Sequence, residues 1–145
     1  MRKKALAFAA LFLTVFTLSA SAGGIGNSDY EAAVVALKGT GKANGEAVFR
    51  AVGFMPLEYT LGVTAYGLEP NTVYSVWLTD SPSKEGRVPV GVTTNSFKTD
   101  GSGKGRYVTG VSHLKLRDWR SLSIYRQSGE ASEKAPVLKG PIRFY

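Results

Sequence analysis

The chain has 145 residues, with 18 Lys and Arg against 11 Asp and Glu, one His and no Cys. That length supports one domain and is too short for two ordinary ones. The absence of cysteine excludes a disulfide framework, thiolate metal sites and cysteine nucleophiles, and a single histidine excludes most imidazole-built metal and acid/base clusters.

Residues 1–22 read as a secretory signal peptide. Arg2, Lys3 and Lys4 form a basic n-region, Ala5 to Leu18 is apolar but for its threonines, and Ala20-Ser21-Ala22 supplies the small-residue cleavage pattern. The 14-residue apolar stretch falls short of the roughly 20 residues that span a hydrocarbon core. The expectation is therefore an exported chain, secreted or periplasmic, with no transmembrane segment in its mature form. Cleavage after Ala22 leaves 123 residues and removes three basic ones, so 15 cations face 11 anions and the net charge falls from +7 to +4. A surplus that small does not point to nucleic acid; it suits anionic polysaccharide or lipid head groups.

Residues 23–29 form a glycine-rich, flexible leader, and 30–145 the folded domain. The stretch from Ser28 to Lys38 is ambiguous. Ser28-Asp29-Tyr30-Glu31 has capping-box spacing and Gly39 fits a helix C-terminus. Against this, Val34-Val35 is β-branched and Asn44-Gly45 is a strong turn dipeptide leading into the β-like run from Glu46 to Val52. The hairpin is the stronger of the two readings. From Leu57 to Gly67 the sequence alternates with period two: Leu57, Tyr59, Leu61, Val63 and Ala65 on one side, Glu58, Thr60, Gly62, Thr64 and Tyr66 on the other. Glu69-Pro70-Asn71 is a turn. Val73 to Thr79 alternates again, with Tyr74, Val76 and Leu78 on one face and Ser75 and Trp77 on the other. Asp80 to Pro89 reads as a polar loop, Val90 to Thr99 as a strand, Asp100 to Gly105 as a tight turn and Arg106 to Val111 as a strand. Leu114 to Arg120 is irregular with room for one helical turn. Ser121 to Arg126 is a strand with Leu122 and Ile124 inward, Gln127 to Ala135 a loop, and Val137 to Phe144 the last strand. Seven to eight strands with frequent turn signals predict an all-β, antiparallel β-sandwich of immunoglobulin-like type.

Two segments carry a family resemblance: Gly67-Leu68-Glu69-Pro70-Asn71-Thr72-Val73-Tyr74-Ser75-Val76-Trp77-Leu78, and Phe97-Lys98-Thr99-Asp100-Gly101-Ser102-Gly103-Lys104-Gly105. With the terminal Val137-Leu138-Lys139-Gly140-Pro141-Ile142 they resemble chordin-type domains and the extracytoplasmic domain of anti-sigma-K factors. The resemblance implies an exported immunoglobulin-like or superoxide-dismutase-like sandwich. Its motifs are turn and core signals, and it transfers no functional residue.

The motifs with chemical potential fail on spacing or context. A copper–zinc dismutase site needs several histidines, and only His113 exists. Ser81-Pro82-Ser83-Lys84 has the Ser-x-x-Lys spacing of penicillin-recognising acylases, but it contains a proline in a polar loop and lacks the partner motifs. The glycine turns Gly39-Thr40-Gly41-Lys42 and Gly101-Ser102-Gly103-Lys104 lack the Ser or Thr that follows a phosphate-loop lysine. Lys104 stands where a calcium loop starting at Asp100 needs an oxygen ligand. What remains is Leu114 to Arg126, where Lys115, Arg117, Arg120 and Arg126 surround Trp119 and Tyr125. Guanidinium groups fork to carboxylate or sulfate oxygens, and an exposed indole stacks on a sugar. The competing reading places Leu114, Leu116, Trp119 and Leu122 in the core with the cations solvated.

The function expected is non-enzymatic, a structural or protein-binding role in the cell envelope or extracellular matrix. The alternative is a carbohydrate- or anionic-polymer-binding module using Lys115, Arg117, Trp119 and Arg120. A third reading, an enzyme with an unrecognised carboxylate pair, has only Asp29 with Glu31, or Glu130 with Glu133, to draw on. No cofactor or metal is expected; the partners are an envelope protein, a polysaccharide or the chain itself. A small outer-membrane barrel is the architectural rival. The last strand argues against it, because the face carrying Tyr145 also carries Arg143 and Lys139, whereas Leu138, Ile142 and Phe144 share the other. That register predicts Leu138, Ile142 and Phe144 buried and Arg143 in water.

Overall fold

A computed structural model describes residues 30–51, 57–129 and 131–144; for Tyr30, Glu31, Ala131 and Ser132 it describes the backbone alone. The expected signal peptide, the leader and Val52 lie outside the described residues. The chain is predominantly antiparallel β. In order it forms β1 (Tyr30–Gly39), β2 (Asn44–Ala51), β3 (Glu58–Tyr66), β4 (Val73–Thr79), β5 (Val88–Pro89), β6 (Ser96–Lys98) and β7 (Gly105–Ser112). One helical turn, α1 (His113–Arg117), precedes β8 (Ser121–Ser128), β9 (Ala131–Ser132) and β10 (Leu138–Pro141).

Eight strands run in the spatial order β5-β4-β8-β10-β1-β2-β3-β7, with β6 paired to β4 and β9 to β8. This sheet is curled, and one side of it supplies a single apolar core. The period-two pattern explains why. Along β3, Tyr59, Leu61, Val63 and Ala65 are buried, and their neighbours Ala47, Phe49 and Ala51 of β2 and Ala33, Val35 and Leu37 of β1 join the same cluster. From the other end of the sheet come Tyr74, Val76 and Leu78 of β4, Leu122 and Ile124 of β8, and Leu138 of β10. Phe97 of β6 stacks on Tyr74 at 5.9 Å and lies 6.4 Å from Tyr107 of β7, so an aromatic row links the two ends of the strand order. The Tyr107 hydroxyl donates to the Thr94 carbonyl at 2.6 Å across the same gap. Apolar side chains inside and charged ones outside reverse the pattern of a lipid-facing barrel. Among the described residues, no helix is long and apolar enough to cross a membrane.

The hairpin expected at 30–52 is present, but its turn is not Asn44-Gly45. Both residues lie within β2, opposite Lys38 and Leu37. The chain reverses at 40–43, where Gly41 takes φ +66 and Ala43 N–H donates to the Thr40 carbonyl at 3.4 Å. Glycine reaches that left-handed region without steric cost, so the turn forms before the Asn-Gly pair. Leu57, expected inward, is 79% exposed because β3 begins only at Glu58. Of the strand expected over Val90 to Thr99 only β6, Ser96–Lys98, is present, and the loop expected from Asp80 to Pro89 ends in the short β5; both pair with the same edge of β4. The loop expected from Gln127 contains the end of β8 and β9.

Leu138 and Ile142 are buried and Arg143 is exposed, as the register predicted, but Phe144 is 41% exposed. Pairing stops at Pro141, so Phe144 lies beyond the strand, and its ring packs at 5.3 Å from Tyr59 and 5.8 Å from Phe49.

The turn after β3 and the turn before β7 meet in one hydrogen-bonded network. Thr99 Oγ1 donates to the Glu69 carbonyl at 2.6 Å and accepts from Thr72 N–H at 2.9 Å, and Asn71 N–H donates to the Asp100 carbonyl at 3.1 Å. Asp100 Oδ1 accepts from the N–H groups of Ser102 and Lys104, at 2.9 and 3.0 Å, and from the Ser102 hydroxyl. Gly103, at φ +80, brings its backbone against Leu68, where a Cβ would strike the Leu68 carbonyl.

Candidate functional site

The segment from Leu114 to Arg126 is split by the fold. Ser112 caps α1, accepting from Lys115 N–H, and the turn delivers Leu116 and then Trp119 into the core; Trp119 is 4% exposed. Its indole therefore presents no face on which a sugar could stack. Lys115 is half-buried, its Nζ donates to the Val90 carbonyl at 3.4 Å, and burial pushes its pKa down. Arg120 donates to the Arg117 carbonyl at 3.2 Å, and Arg117 approaches Asp118 at 3.5 Å. Asp118 also holds Lys84 at 2.7 Å, and that hydrogen bond keeps its carboxyl below the usual range. Lys115, Arg117 and Arg120 thus share one end of the molecule, while Tyr125 and Arg126 go elsewhere along β8. Arg126 pairs with Glu69 at 2.9 Å and approaches Glu133 at 3.7 Å.

Two other surfaces emerge that the sequence reading did not single out. The first is the outward face of β1, β2, β3 and β7. Cross-strand register aligns Val34 with Val48, Val48 with Gly62, and Gly62 with Val108, an apolar row across four strands. Val34 is 36% and Val108 65% exposed. At Gly62 a Cβ would meet nothing within 4 Å, so the row dips into a hollow of about 260 Å³. One polar row flanks it with Glu46, Thr64 and Arg106 in register, and a second with Arg50, Thr60 and Gly110. Alternation signalled this face; the register that lines up its valines is a tertiary property that no local pattern reports.

The second surface is the outward face of β4 and β8. Arg87, from the loop after β4, lays its guanidinium over the rings of Trp77 at 4.6 Å and Tyr125 at 4.0 Å. Trp77 Nε1 donates to Ser75 Oγ at 2.8 Å, and the buried Thr79 and Ser123 hydroxyls bond to each other at 2.8 Å. Tyr125, which sequence proximity groups with Trp119, instead shares Arg87 with Trp77. Among the described residues, no three His, Cys, Asp or Glu side chains gather as metal ligands.

The class that fold and surfaces define is a predominantly β domain whose outward sheet face is open over β1, β2, β3 and β7 and largely covered over β4 and β8. Compared with protein-family models and with curated proteins, the chain matches none.

Proposed function

We propose that the chain is an exported, non-enzymatic β-sandwich domain that works by protein–protein contact, as a structural component of the cell envelope or extracellular matrix. The basic n-region, apolar stretch and cleavage pattern of residues 1–22 support export. The resemblance to chordin-type and anti-sigma-K extracytoplasmic domains belongs to the same reading, as does closure of the curled sheet into a sandwich.

The observation that carries the proposal is the Val34–Val48–Gly62–Val108 row. Contiguous apolar surface framed by polar residues marks interaction sites. The occupant that fits is a second copy of the chain. A two-fold axis along the row reverses the strand direction and sets each valine on its counterpart. The same rotation places Glu46 opposite the second copy's Arg50, and Arg106 over Gly110, where a Cβ would meet nothing. A self-complementary patch of this kind is what a two-fold interface requires.

Sedimentation velocity on the exported chain tests this. The expected result is a concentration-dependent dimer that Val48→Asp abolishes while the melting temperature holds. A wild-type chain that stays monomeric at every concentration overturns the reading.

A further inference from the structure

The Arg87 surface is independent of the valine row and points to a small-ligand site. The loop from Asp80 to Val90 and the segment around Glu133 to Lys139 stand on either side of the outward face of β4 and β8. Between them is a cleft of about 380 Å³ lined by Asp80, Arg87, Tyr125, Lys134, Pro136 and Lys139. Ligand pockets begin at roughly 300 Å³, so the space suits one or two sugar-sized units and little more.

Its charge is unbalanced. Lys139 pairs with Asp80 at 2.6 Å, but among the described residues Arg87 and Lys134 make no carboxylate contact within 4.0 Å. Arg87 is also held in place. Two aromatic rings take the flat side of its guanidinium, and one amino group donates to the Glu133 carbonyl at 3.4 Å. A guanidinium carries five N–H donors in a fixed planar fork, so the remaining donors stay in the plane and available at the cleft. Lys139 is accounted for by Asp80, so the uncompensated charge at the opening is that of Arg87 and Lys134. The wall also offers acceptors: the Asp80 carboxylate beside Lys139 provides both hydrogen-bond polarities, which a hydroxyl-rich ligand uses and a simple anion does not. The exposed ring of Pro136 adds an apolar patch.

We propose that this cleft binds an acidic sugar of uronate type, its carboxylate forked by Arg87 and neutralised by Lys134, its hydroxyls shared by Asp80 and Lys139. The binding unit is a carboxylated polysaccharide of the surroundings into which the chain is exported.

The test is calorimetric titration of the exported chain with oligogalacturonate, with neutral oligogalactose and polyglutamate as controls. Oligogalacturonate should bind and the two controls should not. Arg87→Lys keeps the charge and removes the fork; it should weaken binding about tenfold or more, the loss expected for charge-assisted hydrogen bonds. Lys134→Ala, on an exposed side chain, should weaken it without altering the fold. The chain has two tryptophans, which provides an internal control. The Trp77 indole N–H resonance should move on titration while that of the buried Trp119 stays. Absence of oligogalacturonate binding, equal binding of either control, or full affinity in both variants overturns the proposal. A shift of Trp119 in place of Trp77 would move the site to the other end of β8 and overturn it as well. A monomeric chain that binds the uronate would leave this inference standing while the proposed self-association fell.

Discussion

The two halves of the sheet obey the same residue pattern and bury it differently. In β3 burial alternates with residue type: Leu61 and Val63 lie inside, and Thr60, Gly62 and Thr64 face outward with solvent access; in β1, β2 and β7 the outward positions keep solvent access even where Val34, Val48 and Val108 occupy them. In β4 and β8 the residue types alternate too, with Ser75, Thr79, Ser121 and Ser123 at the outward positions. Yet those four are buried, together with Tyr125. The loop after β4 reaches over that side through Arg87, and Asp80 and Lys139 close its lower margin. Period two reports the pleat of a strand. Whether the second face is covered depends on segments distant in sequence.

This contrast can be broken most forcefully at the inner face, where it should vanish. Leu61 and Leu122 are both fully buried, one in each half. Leu61→Ala and Leu122→Ala should each cost about 2–5 kcal/mol in urea unfolding, the range for a buried leucine leaving a cavity. If one half tolerated truncation far better than the other, the two would not share a core.

The outer faces should respond unequally. Ser123→Ala removes the hydroxyl that pairs with Thr79 at 2.8 Å inside the covered face. A buried hydroxyl left without its partner costs about 1–3 kcal/mol. Thr64→Ala, on the open face, should change stability by no more than about 0.5 kcal/mol. Equal effects of the two variants would mean that the covering segments leave the Thr79–Ser123 pair wet.

Phe144 tests a third kind of surface, neither core nor open sheet. Its ring packs against Phe49 and Tyr59 although it remains partly exposed. Phe144→Ala should cost an intermediate amount, about 0.5–1.5 kcal/mol from the aromatic contacts, and Arg143→Leu next to nothing. A loss from Phe144→Ala as large as that from Leu61→Ala would show that the last residues close the core.

The same contrast explains what could be read in the amino-acid sequence. The β class and the inward sets of β3, β4 and β8 followed from local alternation, and Asp100 to Gly105 from turn chemistry. Misplacement came where local signals competed: Asn44-Gly45 is a strong turn pair, but Gly41 reversed the chain first. For the candidate sites, Lys115, Arg117, Trp119 and Arg120 were grouped because they are close in sequence. A helical turn after Ser112 instead sends Trp119 into the core and leaves the cations on the rim. Tyr125 lies far from Trp77 and Arg87 in sequence; the pairing of Ser75 with Tyr125 and Trp77 with Ser123 sets β8 beside β4, and the pairing of Trp77 with Pro89 returns the Arg87 loop to the same strand. The one local hint was small hydroxyl residues alternating with large aromatics at outward positions, a composition that leaves room for something laid over the sheet.

The smallest expected effect is electrostatic, and it separates a carboxylate on the covered face from one in the turn that ends the open half. Asp80 accepts from Lys139 and from the Ser121 hydroxyl, and these hydrogen bonds hold its carboxyl below the ordinary range. Asp100 is held low chiefly by the Ser102 hydroxyl and by the N–H groups of Lys104 and Ser102. In the unfolded chain both return to the ordinary value of about 3.9. Above that pH both carboxyls are ionised folded or unfolded, and their contribution to stability is complete. As the pH drops below about 4, the unfolded chain takes up protons first, and stability falls until the folded carboxyls protonate as well. Stability measured by urea unfolding should therefore be flat from neutral pH to about 4 and decline below it. Asp80→Asn removes one lowered carboxyl and should make that decline shallower. At neutral pH its cost should stay within about 1 kcal/mol, since both members of the Asp80–Lys139 pair are half-exposed and solvent screens them. Asp100→Asn should flatten the same pH window through a different cause. Asparagine keeps one acceptor oxygen for the Ser102 and Lys104 N–H groups, so the turn survives while its pH response does not. High salt should then distinguish the two: it weakens the Asp80–Lys139 ion pair and leaves the hydrogen-bonded turn at Asp100 nearly untouched.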